Sequence, residues 1–275
     1  HARPFRPIPT PARILRFAFL ATAEEANAAR ARIAELCVGA GVPGPGPDAK
    51  HHRCLLQADG GAPLDMAFEQ HGEFVTYTIV TPGGPKPFDP PAGQLARTLP
   101  DIGAPGRHVV SVDLCLASAQ GVDVAAAFDR TSLAVSRVRG GAATVATDFR
   151  ADAAGFVRWL VLNDGLDDNA AGAICVRMLE VETYRTMALL GLPEAIRLSP
   201  RTARIERELT EISSEISKSK GLKTDSTLLE RLTQLAADLE MDVASSAYRF
   251  GATRAYDELV AQRLRASGEE SFQFY

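Results

Sequence analysis

Apolar and polar positions divide the chain into two regimes. Up to about residue 155, apolar residues come in short runs or alternate with a period of two; beyond it they recur at three and four, the spacing of one face of a helix. In the first regime, residues 13–21 (RILRFAFLA) have the apolar density of a buried strand. Thr22 follows as an N-cap, with Glu24 and Glu25 in the first turn of a helix expected to run to about Gly39. Strand-like runs come next at 51–58, 64–70 and 73–81, the last (EFVTYTIVT) rich in β-branched and aromatic residues. His71 and Gly72 between two of them are expected as a tight turn or bulge. After a proline-rich loop at 82–91, a short helix is expected over 93–99 and a strand over 107–117. A hairpin of 132–138 with 142–149 turns around Gly140 and Gly141. Strand, helix, two strands with an optional third, helix, strand is the order of a ferredoxin-like α+β layer.

From Gly155 onward, helices are the expectation. Residues 173–193 (AICVRMLEVETYRTMALLGLP) read as a helix that is apolar on nearly every side, hence buried, yet they include Arg177, Glu180, Glu182 and Arg185. Buried charges must be paired or neutralised. Arg177 and Glu180 fall one turn apart, and so do Glu182 and Arg185, which predicts two pairs along the helix. That helix should end near Pro193, with Ser199 and Pro200 opening the next as cap and first residue. Ile205, Leu209, Ile212 and Ile216 then step by four, three and four, and Leu228, Leu232, Leu235 and Leu239 do the same after a polar turn. Two such seams predict an antiparallel helical hairpin of coiled-coil type, its second arm reaching about Arg265.

The expected organisation is therefore an extended proline-rich arm (1–11), an α+β head (12–160) and a helical part with the hairpin (161–275). Long helices running to the last residues without a closing element predict further chain beyond them. A start at His1 rather than Met likewise predicts a processed chain or a fragment.

Composition narrows the function classes. A length of 275 residues accommodates one large domain or two modest ones, and a mean hydropathy of −0.04 is that of a packed globular chain. A net charge of −4 gives no reason to expect nucleic acid as a partner. Cys37, Cys54, Cys115 and Cys175 are scattered without CxxC or metal-type spacing, as reduced, buried residues of a cytosolic chain would be.

Local motifs are few. Gly39-Ala40-Gly41-Val42-Pro43-Gly44 matches GxGxxG by letter, but follows a helix and enters a loop, the reverse of a dinucleotide-binding turn; no nucleotide is expected. His52 and Cys54 share a strand face, yet two ligands make no site, and ordinary strand residues are the simpler reading. His71, Glu73, Thr76 and Tyr77 offer acid–base chemistry around a turn, against the plainer reading of a capped hairpin. Asp148, Arg150 and Asp152 end a strand ahead of Trp159, where a local ion pair is the common outcome. The carboxylates of 173–193 are the strongest candidates because buried carboxylates have perturbed pKa values, although structural ion networks produce the same pattern.

Five segments, HARPF at the start, HGEFVTYT (71–78), GGAATVATDFR (140–150), LEVETYRTMALLGLP (179–193) and YRFGATRAYDELVAQRL (248–264), resemble the bacterial domain-of-unknown-function family numbered 3422 over essentially the whole chain. The resemblance implies a membrane-anchored protein, with more helix and a hydrophobic anchor following residue 275, held at the cytoplasmic face of the inner membrane. It brings no catalytic residue. Three functions are therefore carried forward. The first is a scaffold or regulatory module that self-associates or binds a protein through the hairpin. The second is a metal-binding or hydrolytic domain in which His71, Asp148, Glu180 and Glu182 converge, with Glu73, Tyr77, Arg150 and Arg185 as further candidates. The third, by analogy of architecture alone, is the head of a CorA-like ion-transport protein.

Overall fold

The computed structural model describes residues 6–57, 61, 63–217 and 222–271, without the side chains of 222–225 and 270–271. In chain order the elements are β1 (Ala12–Leu20), α1 (Ala23–Gly39), β2 (His51–Gln57), β3 (Pro63–Gln70), β4 (Phe74–Pro82), α2 (Ala92–Ala96), β5 (Arg107–Ser118), α3 (Val124–Ala127), β6 (Ala134–Val138), β7 (Ala143–Ala151), β8 (Val157–Asn163), α4 (Asp168–Leu189), α5 (Leu192–Ile216), α6 (Leu222–Ser267) and β9 (Glu270–Ser271). The chain is thus of mixed α+β class. It forms two compact units, one of His1–Thr183 with Val260–Tyr275 and one of Tyr184–Leu259.

The first unit is organised by one sheet in the order β2-β3-β4-β1-β5-β8-β7-β6-β9. β1 lies between β4 and β5, antiparallel to both, and β5 and β8 form the parallel pair. The element order as far as β5 is the expected one with the optional third strand present, but β8, β7, β6 and β9 extend the sheet well past a ferredoxin-like β-α-β-β-α-β unit. β8 departs from the helical expectation after Gly155. Its sequence VRWLVLN is buried over Trp159–Leu162 between two neighbouring strands. A strand covered on both faces loses its alternation and reads like a buried helix.

Strand register sets which side chains share a face. Phe17 lies opposite Tyr77 and Phe19 opposite Val75; on the same face Met66, Phe68, Cys54 and Leu56 meet Ala26, Ala29, Ile33 and Cys37 of α1. Thr22 caps α1 in a reciprocal capping box with Glu25. Arg16 and Thr78 are paired on the other face, as are Glu69 and Thr76. α4 packs on that second face, where Trp159 is in register with Leu114 and Ile14. The described part of the arm lies on α4: Ile8 is buried and donates its N–H to the Asp168 carbonyl at 2.8 Å. Gly172 permits the approach, since a Cβ there would stand 1.8 Å from the Arg6 carbonyl oxygen.

In the second unit α5 and α6 are antiparallel. Arg201 binds Asp242, Arg204 binds Asp238 and Arg231 binds Glu215, so partners descend along α6 as they ascend along α5. Ile205, Ile212, Leu228 and Leu235 form the buried seam between them. Pro200 does not open a helix as expected; α5 begins at Leu192 with Pro193 in its first turn and runs through Pro200. The turn before Pro200 is largely exposed, which leaves water to take the carbonyl bond the missing N–H cannot supply. α6 ends at Gly268 (φ +60), after which β9 adds to the edge strand β6, a closing element the apolar pattern does not announce.

Candidate functional site

The residues singled out by sequence fall into three separate environments. On α4, Glu180 is bound by Arg263 of α6 at 2.5 Å, a tie between two helices in addition to any along one. Arg177 remains close enough to feel the Glu180 charge, while burial, first, and the charges of Arg139 and Arg263 lower its pKa. Glu182 is fully buried and accepts the Trp159 indole N–H at 3.3 Å, which ties α4 to β8. Arg185 lies half-buried on the part of α4 that belongs to the second unit.

The His71 environment sits at the far end of β3 and β4. The imidazole stacks on Phe74 with centroids 4.2 Å apart, and its Nε2 is buried without a hydrogen-bond partner among the described residues. Burial depresses its pKa to about 4, helped by the charges of Arg16 and His51 and opposed by Glu69. Arg16 is the hub: it donates to Thr78 Oγ1 at 2.9 Å and to Glu69 Oε2 at 3.3 Å, while Glu69 Oε1 lies 3.4 Å from His51 Nδ1. Burial works to raise the Glu69 pKa, and Arg16, His71 and His51 outweigh it. Tyr77 is not part of this group. It points to the α1 face between Phe19 and Phe68, and burial raises its pKa. Glu73 is half-buried beyond the turn, its carbonyl accepting from Ala21 N–H.

Asp148 and Arg150 bracket a bulge in β7, where Phe149 has φ +56. Asp148 is buried, accepts the backbone N–H groups of Asp129 and Arg150 at 3.0 and 3.1 Å, and lies 4.0 Å from Arg158. Arg158 stands over the rings of Phe88 and Phe128, 5.3 and 5.5 Å from their centroids. Next to it Arg13 makes a two-pronged pair with Asp113, whose carboxyl burial holds above the ordinary range against the pull of Arg13. Neither Arg13 nor Asp113 stands out in sequence, because each looks like one polar residue in a strand. Arg150 forms an exposed pair with Asp129, 21 residues earlier in the chain, not with Asp148 or Asp152 beside it.

These environments do not meet. Phe74, against which His71 stacks, is in register with Leu20, whereas Trp159 above Glu182 is in register with Ile14. Three strand spacings and six residues separate the two rows, roughly 14 Å across the sheet and roughly 20 Å along it. Asp148 is on the Arg158 side of the sheet, opposite the Trp159 side that Glu182 touches. Among the described residues, the one His/Cys/Asp/Glu group compact enough to hold a metal ion is Cys37, His52 and Cys54. It contains none of His71, Asp148, Glu180 or Glu182.

The surface of the hairpin has two unlike sides. At about 100° per residue, Arg197, Arg201, Arg204 and Glu215 on α5 lie to one side of the Ile205–Ile212 seam. Their partners Ser245, Asp242, Asp238 and Arg231 lie to the same side on α6. The other side carries Leu209 and Ile216 from α5 and Leu229, Leu239 and Val243 from α6, exposed by 40 to 66 %. Among the described residues, all the exposed large apolar side chains except Val38, Leu55 and Phe149 belong to the segment from Leu189 to Tyr248.

Comparison with known proteins gives one match. A family model described as protein of unknown function (DUF3422) covers residues 1–274. No curated protein and no solved structure matches the chain. Within the described residues no helix is long and apolar enough to cross a membrane.

Proposed function

Because the chain belongs to the DUF3422 family, proteins of unknown function, we propose from its own surface that it is a protein-interaction module, a scaffold or regulator that pairs with a second copy of itself through the hairpin. The observation that carries this reading is the two-sidedness of the hairpin. One flank is zipped by ion pairs within the chain, and the other exposes Leu209, Ile216, Leu229, Leu239 and Val243 to solvent. Apolar positions flanking a seam on both helices are what a helix with two neighbours shows, as in a four-helix bundle. A two-fold axis lays the same stripe against itself, which requires no second surface. Coiled-coil packing of the seams and attachment to the cytoplasmic face of a bacterial inner membrane belong to the same proposal, the latter resting on the family resemblance alone.

Light scattering on the eluting protein tests it. The expected mass is that of a dimer. Leu209→Glu with Leu239→Glu should give a monomer of unchanged helical content, while Met241→Glu, on the opposite side of α6, should leave the dimer intact. A monomeric wild type, or a double variant that stays dimeric, would overturn the reading. Fractionation of cells expressing the protein reads the membrane expectation separately.

A further inference from the structure

We propose that Cys37, His52 and Cys54 bind a zinc ion in a three-ligand site that clasps the end of α1 to the edge strand β2. His52 and Cys54 are two apart on β2, so both point to the face that α1 covers. Cys37 is in the last turn of α1 above them. The sulfur and nitrogen ligand atoms all lie within 4.8 Å of one another. A tetrahedral zinc with Zn–S of about 2.3 Å and Zn–N of about 2.0–2.1 Å holds its sulfur and nitrogen ligands about 3.6 Å apart and two sulfurs about 3.8 Å apart. Cys37 Sγ and His52 Nε2 are already 3.6 Å apart. The triangle closes on an ion by adjusting side chains, with no displacement of α1 or β2.

The donor set selects the ion. Two thiolates and an imidazole suit zinc, whereas magnesium and calcium take oxygen ligands. His52 is half-exposed while both cysteines are buried, so the fourth position is left to water on the imidazole side. Binding needs the His52 Nε2 lone pair, so the ring proton moves to Nδ1 and any bond from Nε2 to the Pro43 carbonyl, now 3.1 Å away, is given up. Two thiol protons go to solvent. Because binding releases those protons, zinc affinity should rise with pH. The clasp has a structural use: β2 is the sheet's outer strand next to β3, and an edge tied to a helix is less available to pair with another chain.

The test uses the chain of residues 1–275, reduced, stripped with chelator and dialysed against zinc. One equivalent should remain per chain by elemental analysis, with a raised melting temperature. Mass spectrometry should find Cys37 and Cys54 protected from alkylation. Cobalt in place of zinc should give thiolate charge-transfer absorption. His52→Ala, at a half-exposed position, and Cys54→Ser should each lose most of the bound zinc, while Cys115→Ser keeps it. The proposal is overturned if the reduced wild type retains no zinc, if His52→Ala and Cys54→Ser retain as much as the wild type, or if Cys37 and Cys54 pair as a disulfide and take up no metal after reduction.

Discussion

Glu182 shows how a charge is accommodated inside an apolar helix. Its carboxylate accepts a hydrogen bond from the buried Trp159 indole N–H, which also anchors β8. Glu182→Ala leaves that N–H buried and unpaired and should cost about 1–3 kcal/mol in denaturant unfolding. His71 supplies a prediction in pH. Its folded pKa of about 4 lies below the 6.5 of a free imidazole, so the unfolded chain binds a proton that the folded chain refuses. The stability contributed by neutral His71 is complete above pH 6.5 and is lost as the pH falls towards 4. Unfolding midpoints measured across that window should fall on acidification, and His71→Phe should flatten the slope. The presence of buried charge on α4 is legible in sequence, because four charged residues interrupt an apolar run. Its partners are not. Trp159 and Arg263 lie 23 and 83 residues from the carboxylates they bind, and only the packed fold brings them near. Cys37 was hidden in the same way: His52 and Cys54 show the alternation of a strand, but the third ligand comes from a helix end placed over them by burial of Ile33 and its neighbours.

Local signals marked most elements of the sheet half correctly, and the failures have physical causes. The Thr22–Glu25 capping box sets the start of α1, and Gly140–Gly141, both at positive φ, turn the β6–β7 hairpin. The letters GxGxxG mark the end of α1, where Gly41 takes φ +70. β8 and the course of α5 through Pro200 escaped because burial on both faces erases periodicity in one, and solvent exposure tolerates proline in the other. Extent of the sheet was also beyond reach, since β5–β8 pairing is parallel and joins segments distant in sequence. The arm on α4 gives a test at this scale. Gly172→Ala places a methyl group against the Arg6 carbonyl and should release the arm, at a cost of about 1–3 kcal/mol. Faster limited proteolysis at residues 6–11, with the remainder of the chain protected, is the expected readout.

The whole molecule combines a sheet that carries buried ion pairs with a helical hairpin ion-paired along one flank. Arg16 with Glu69, Arg13 with Asp113 and Arg158 with Asp148 are spread over both faces of the sheet, each held by its own neighbours. They give the first unit specific internal ties, and they form no common pocket with the carboxylates of α4. The apolar side of the hairpin has no partner within the hairpin's own ion-paired flank, and a second copy is the occupant proposed for it. Sedimentation velocity of residues 1–275 over a rising concentration series measures this most directly. A hairpin that pairs with a second copy gives a dimer that persists through the series and dissociates when Leu209 and Leu239 are both replaced by Glu. A wild-type chain that sediments as a monomer at every concentration would contradict it.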